Sequence, residues 1–124
     1  MHNRNKLITL FAGNLATIVV HTILEEALSD ENLRKYYTKE IKLSFTIAKK
    51  YREQIHPLDR ELPETKEIME RVCNLVRSEL MSRIRKGYAG IDLEKISTTV
   101  QEILGALQHT SVRKHLESNE HRKK

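Results

Sequence analysis

A stretch of 18 residues without a charged side chain constrains the fold of this chain more than any other feature. It runs from Leu7 to Leu24 and is bounded by Lys6 and Glu25. That length is the lower limit for a membrane-spanning helix, and a basic start before an apolar run also resembles a signal peptide. Polar residues such as Asn14 inside the stretch, and the lack of a small-residue cleavage site after it, favour a helix buried in a bundle core. We therefore expect no membrane span.

The composition favours helices over strands. The 124 residues include four Gly, two Pro, two Phe and no Trp, which argues against a β-sandwich and against a nucleic-acid reader built on stacked aromatic rings. With 39% apolar and 31% charged residues, the chain is expected to form one soluble domain. Because Cys73 is the only cysteine, no intrachain disulfide or paired-cysteine zinc site can form, and a cytoplasmic location is predicted.

Apolar residues three and four positions apart predict three further helices. Asp30 or Ser29 can cap the second helix, and Pro57 ends it. Gly87 follows the third helix, and Asp92 is the predicted N-cap of the fourth. The predicted second, third and fourth helices span residues 31–55, 64–86 and 93–109. Helices of this length joined by short loops predict an all-α, four-helix up-and-down antiparallel bundle over residues 1–109, followed by a flexible, polar, basic tail over 110–124.

The positive net charge belongs to the two ends of the chain rather than to the predicted bundle. The chain has 22 basic and 17 acidic residues, a net charge of +5. Seven of the basic and two of the acidic residues lie outside Leu7 to His109, which leaves 15 against 15 within that segment. Inside it the second helix is positive by four. The bundle is therefore expected to be basic on one side.

Four lysines recur at helical spacing on the second helix, away from its predicted apolar face of Leu33, Tyr37, Ile41, Ala48, Tyr51 and Ile55. They are Lys35, Lys39, Lys42 and Lys49, and are called the lysine stripe below. Such a row can meet the phosphates of a nucleic acid or an acidic protein, although most lysine rows are simply solvated faces. These four residues are the predicted partner-binding residues, and Arg34, Lys50 and Arg52 flank them.

A largely apolar first helix offers more apolar surface than four amphipathic helices of one small bundle need. We therefore predict that a second copy covers part of the apolar face of the first helix, or an apolar stripe of another helix, which makes the protein a homodimer. Two polar residues on that helix, Asn14 and His21, are expected to be buried and to fix the packing register. On the third helix, Glu79 and Arg83 are expected to pair at the rim of the apolar stripe.

One pole of the bundle is a candidate metal site. The topology brings the end of the second helix, with Glu53 and His56, close to His109 at the end of the fourth. Two histidines with a carboxylate can bind zinc, iron or manganese if they converge. The same pole suggests an RNA-cleaving enzyme with Arg52 and His56, but three residues separate these two, whereas helical RNA-cleaving domains place four to six between them.

Taken together, these patterns favour a non-catalytic helical-bundle protein that requires no cofactor. It is expected to self-associate and to contact another protein through its helix faces. Two alternatives remain open: nucleic-acid binding through the lysine stripe and the basic tails, and a metal-dependent or RNA-cleaving enzyme that uses the pole of His56 and His109.

Overall fold

The computed structural model describes residues 3–56 and 60–108. Of these residues, 83% are helical and none forms a strand, which confirms the all-α four-helix prediction. The helices are α1 (Arg4–Ala27), α2 (Glu31–Ile55), α3 (Thr65–Arg85) and α4 (Ile96–Gln108), and a 3-10 turn (Leu93–Lys95) precedes α4. The predicted tail over 110–124 and the end of the predicted first domain at His109 lie outside the described residues.

Contacts at the two poles establish the up-and-down order. At one pole, Arg4 at the start of α1 contacts the carbonyl of Ile55 at the end of α2 and the carboxylate of Glu64 just before α3. At the other pole, Lys95 before α4 pairs with Glu26 at the end of α1, at 3.2 Å. Consecutive helices therefore run in opposite directions.

Helix α1 is the centre of the bundle, and the other three helices pack around it. Because it meets neighbours on most sides, nearly every apolar residue of the uncharged stretch is buried, which explains why that stretch tolerates no charge. The buried residues are Leu7, Phe11, Ala12, Leu15, Ala16, Ile18, Val19, Val20, Ile23 and Leu24. By length and composition α1 could cross a membrane, and 56% of its most apolar window is buried inside the bundle.

The helix ends follow local signals in the sequence. The Asp30 side chain accepts hydrogen bonds from the backbone N–H groups of Asn32 and Leu33, at 2.9 and 3.1 Å, and so caps α2. Gly87, with φ of 99°, closes α3: its N–H and that of the next residue return to carbonyls in the last turn of the helix. Asp92 caps the chain before α4 as predicted, but the turn that follows it is 3-10 rather than α-helical.

The three outer helices leave part of α1 uncovered. Helices α2 and α3 pack on α1 rather than on each other, so the face of α1 that carries Gly13 and Thr17 is open between them. Among the apolar residues of α1, Leu10 on this open face is 38% exposed. The other three helices cover most of the apolar face of the first helix, and self-association through the part that stays exposed remains a prediction.

On α2 and α3, some apolar residues at helical spacing are exposed rather than buried. Leu33 on α2 is 46% exposed, although the sequence places it on the buried face of that helix. On α3, Leu75 and Ile84 are 44% and 37% exposed, although they lie three and four residues after the buried Val72 and Leu80. Leu75 lies beside the cleft between α1 and α3, which leaves part of its side chain in solvent. The periodicity of apolar residues predicted the helices, but it did not predict how much of each apolar face the neighbouring helices would bury.

Candidate functional site

The predicted metal pole brings together few of its predicted ligands. Glu53 is exposed, and His56 is half-buried with its carbonyl accepting a hydrogen bond from Arg52 at 2.7 Å. His109 lies outside the described residues. Within the described ranges 3–56 and 60–108, no three His, Cys, Asp or Glu residues are placed so as to hold a metal ion. A metal site with Glu53, His56 and His109 therefore stays a prediction.

A buried arginine occupies this pole instead. Arg52 is 0% exposed, and its Nε donates to Oε1 of Gln108 at 3.1 Å. Its Nη1 and Nη2 donate to the carbonyls of His56 and Arg60. Removal from water lowers the pKa of Arg52, because burial disfavours its charged form. These contacts tie the connection between α2 and α3 to the end of α4.

Gln108 completes the network. Its Oε1 also accepts from the backbone N–H of Leu62 at 3.0 Å, and its Nε2 donates to the hydroxyl of Thr65 at 2.6 Å. That hydroxyl in turn donates to the carbonyl of Leu62. Both hydrogen-bonding ends of the buried amide are therefore used, as a buried polar group requires.

Arg52 therefore does not flank the lysine stripe, and the sequence did contain a signal for this. Ala48, Arg52 and Ile55 follow one another at helical spacing, which places Arg52 on the buried face of α2. The RNA-cleaving alternative needs the guanidinium next to a phosphate. A guanidinium that is 0% exposed and holds two backbone carbonyls does not favour that role.

An ion pair covers the same pole. Arg4 binds Glu64 through two hydrogen bonds of 2.8 and 2.9 Å and the carbonyl of Ile55 through a third of 2.6 Å. The hydrogen bonds from Arg4 lower the pKa of the Glu64 carboxyl. Glu64 is thus occupied by a structural contact.

The lysine stripe is placed as predicted. Lys35, Lys39 and Lys42 are exposed and Lys49 is half-buried, all on the side of α2 that faces away from Tyr37 and Ala48. None of the four forms an ion pair with another described residue. Their charges are therefore available to a partner.

A second exposed face of α2 was missed by the sequence analysis. Its members are large apolar side chains that follow steps of three and four residues once half-buried Glu40 is included. They are Leu33, Tyr36, Leu43 and Ile47, which are 46%, 56%, 62% and 44% exposed and are called the α2 apolar stripe below. This face was not predicted because α2 carries apolar residues on two adjacent faces, and Leu33, at the border between them, was assigned to the buried one.

The α2 apolar stripe continues onto the open face of α1. Ile47 and Leu10 line one cleft together with Gly13 and Thr17. Gly13 has no side chain and Thr17 a small one, and apart from the backbone of its own helix and its two chain neighbours no atom lies within 4 Å of where a Cβ on Gly13 would be. The exposed apolar surface therefore spans two helices.

On the other side of Gly13 and Thr17, a cleft of about 350 Å³ lies between α1 and α3. Arg83 pairs there with Glu79 at 3.0 Å and lies over the ring of Tyr88 at 5.5 Å, so its charge is already neutralised. The predicted position of this pair at the rim is confirmed, since the two side chains are 25% and 49% exposed.

His21 lines the same cleft and is half-buried, with its ring 5.2 Å from that of Tyr37. Its Nδ1 and Oδ1 of Asn14 are buried without a hydrogen-bond partner among the described residues. Burial lowers the pKa of His21, and nearby Arg83 acts in the same direction while Glu40 opposes it. The folded protein therefore favours the neutral imidazole.

We expect this histidine to make stability depend on pH. Because the pKa of His21 is lower in the folded than in the unfolded chain, its contribution is complete above the ordinary value of 6.5 and is lost as the pH falls through the folded value. A His21→Phe variant keeps a ring against Tyr37 but takes up no proton. Melting temperatures measured from pH 8 to 5 should fall further for the wild type than for the variant, and parallel curves would contradict this expectation.

Comparison with models of known protein families, with curated proteins and with solved structures finds no match to this chain.

Proposed function

We propose that this chain is a non-catalytic, cytoplasmic helical-bundle protein that self-associates through α2 and acts through contacts with other macromolecules. The α2 apolar stripe is the observation that carries the proposal. Single exposed apolar residues are common on soluble proteins and need no explanation. Four large ones on one helix face, continuous with Leu10 on α1, are typical of an interaction surface.

The spacing of the stripe supports a helix as its occupant. Steps of three and four residues are the pattern that paired helices use to keep one seam facing a partner. The open face of α1 widens that seam, because Gly13 and Thr17 on it let a neighbouring backbone approach closely.

The charges beside the stripe support a second copy of this chain as the partner. If two α2 helices pack antiparallel so that Leu43 lies opposite the partner's Ile47, the last two apolar side chains of each stripe meet at the centre of the interface. In the same register Glu40 lies opposite the partner's Lys50, and the two-fold symmetry makes this attractive pair twice. The C-terminal half of the stripe is thus self-complementary in both apolar and charged positions.

Replacing Leu43 by Glu is expected to convert a dimer into a monomer. Leu43 is 62% exposed, so the substitution leaves the bundle core intact but places two carboxylates in the apolar centre of the interface. Sedimentation velocity at high micromolar concentration should give twice the 14.5 kDa chain mass for the wild type and the chain mass for the variant.

Met81→Glu is the matched control, because Met81 is 37% exposed on α3 and does not belong to the stripe. It should remain a dimer. A wild type that stays monomeric, or a Leu43→Glu variant that still dimerises, overturns the proposal. Circular dichroism of all three proteins checks that the helices are intact.

A further inference from the structure

Helix α2 presents the lysine stripe about a third of the way around its circumference from the α2 apolar stripe. The remaining third contains Tyr37, Ala48 and Arg52 and faces the core. The helix therefore has one face for its own chain, one for a second copy and one that stays in solvent after self-association.

The antiparallel register decides where the two solvent faces lie in the dimer. The two-fold axis of an antiparallel helix pair is perpendicular to the plane that contains both helix axes, so side chains above that plane in one helix are also above it in the other. A parallel pair would place them on opposite sides. Both lysine stripes therefore lie on the same side of the dimer, and both bundle cores lie on the other.

We infer that this combined lysine face binds the phosphate backbone of a double-stranded nucleic acid, independently of its sequence. The inference rests on the proposed self-association, since one stripe alone supplies only four cations. Lys35 and Lys49 are about 21 Å apart along one helix, and the two helix axes are expected to lie about 8 to 10 Å apart. With both copies the lysines cover about 30 Å, a length over which a duplex carries roughly 18 phosphates.

The chemistry of this face favours phosphates over a protein partner. Along the described α2, the lysine face contains no acidic side chain between Glu31 and Glu53. Thr38 and Thr46 lie on the same exposed side and turn their hydroxyls back to their own helix, at 2.9 and 3.1 Å from carbonyls one turn earlier. The face carries no apolar side chain, whereas the cores of protein interfaces are rich in aromatic residues and poor in lysine.

The lack of aromatic rings also selects duplex over single strand. Tyr36 belongs to the α2 apolar stripe, where its ring lies 5.5 Å from that of Tyr37, so no ring on the lysine face is available to stack on a base. Contacts to phosphates alone position a duplex without reading its sequence.

The experiment measures duplex affinity and oligomeric state on the same samples. Fluorescence anisotropy with a labelled DNA duplex of about 20 base pairs, long enough to cover the lysine face, gives the affinity as a function of salt. For the wild type we expect a linear dependence of log affinity on log salt with a slope of about −4.5 or steeper, as for five or more phosphate contacts. Lys35→Glu with Lys42→Glu should bind at least about tenfold more weakly and remain a dimer.

Two further variants separate the lysine face from the total charge. Glu40→Lys makes the chain more positive, but it places a lysine opposite the partner's Lys50 in the interface. The repulsion should make this variant a monomer, and its duplex affinity should fall at least about tenfold. Adding Lys50→Glu places a glutamate opposite the new lysine at position 40, so the attractive pair is restored with its two charges swapped. It also returns the net charge to that of the wild type. This double variant should recover both the dimer and duplex binding.

Each outcome bears on one of the two proposals. A wild-type dimer that does not bind the duplex, or a monomeric Glu40→Lys variant that binds it more tightly than the wild type, overturns the inference and leaves self-association standing. Poly-glutamate that binds as tightly as the duplex would identify an acidic protein partner and overturn the inference as well. A wild-type monomer overturns the proposed function, and with it the composite face.

Discussion

Replacing Arg52 by Met is expected to lower the free energy of unfolding by about 3 kcal/mol or more. Methionine fills much of the same space but donates no hydrogen bond. The carbonyls of His56 and Arg60 would then lose their arginine donors inside the fold, and the amide oxygen of Gln108 would keep the N–H of Leu62. Each buried polar group left without a partner costs about 1 to 3 kcal/mol, and part of this cost is recovered where water reaches the site. Urea unfolding followed by circular dichroism measures the difference.

The matched control is Lys42→Met, the same type of change at an exposed position of the same helix. It should alter the free energy of unfolding by no more than about 0.5 kcal/mol. Arg52→Lys tests whether a positive charge alone is sufficient to hold the buried network. An ammonium group lacks the fixed geometry by which a guanidinium reaches three acceptors, so this variant should also be strongly destabilised. If Arg52→Met unfolds at the same urea concentration as the control, the buried network does not hold the pole together.

Replacing Phe11 by Ala is expected to cost about 3 to 5 kcal/mol. Phe11 is 0% exposed in the first half of α1 and belongs to the apolar core, so the fold can only partly collapse around the missing ring. The measurement is again urea unfolding, with the midpoint and the slope both fitted. A loss below about 1 kcal/mol would mean that the core at this point is loosely packed.

The adjacent residue provides the control. Leu10 is 38% exposed on the open face of α1, so Leu10→Ala removes a side chain of similar character without opening a cavity in the core. It should cost less than about 1 kcal/mol in the free energy of unfolding. It should also weaken self-association, since Leu10 shares its cleft with Ile47 of the α2 apolar stripe.

The buried network and the proposed interface lie on the same helix, and one supports the other. Arg52 fixes the last turn of α2 to α4, and Asp30 fixes its first turn. Because both ends of α2 are held, the α2 apolar stripe and the lysine stripe keep the same orientation relative to the rest of the bundle. A substitution at Arg52 should therefore also weaken self-association, whereas substitutions at Leu43 should leave stability nearly unchanged.

The sequence by itself determined the number of helices, their order and most of their ends. These features depend on local chemistry: Asp30 caps α2 with its own side chain, Pro57 disfavours a helical residue before it, and Gly87 adopts a positive φ that few other residues tolerate. The bounds of α2 were predicted as the structure has them. The uncharged stretch likewise identified α1 as the most buried helix, because only a helix covered on most sides can exclude charge throughout.

Only the tertiary structure decided that α2 keeps a second apolar face exposed and which residues form the pole. The sequence predicted the buried face of α2, with Tyr37 and Ala48, but not that the adjacent face with Leu43 and Ile47 stays uncovered. How far the cover extends depends on where α1 lies, which is a contact between distant parts of the chain. The burial of Arg52 was decided in the same way, because its cost is offset only by Gln108 and by backbone carbonyls that the fold brings to it.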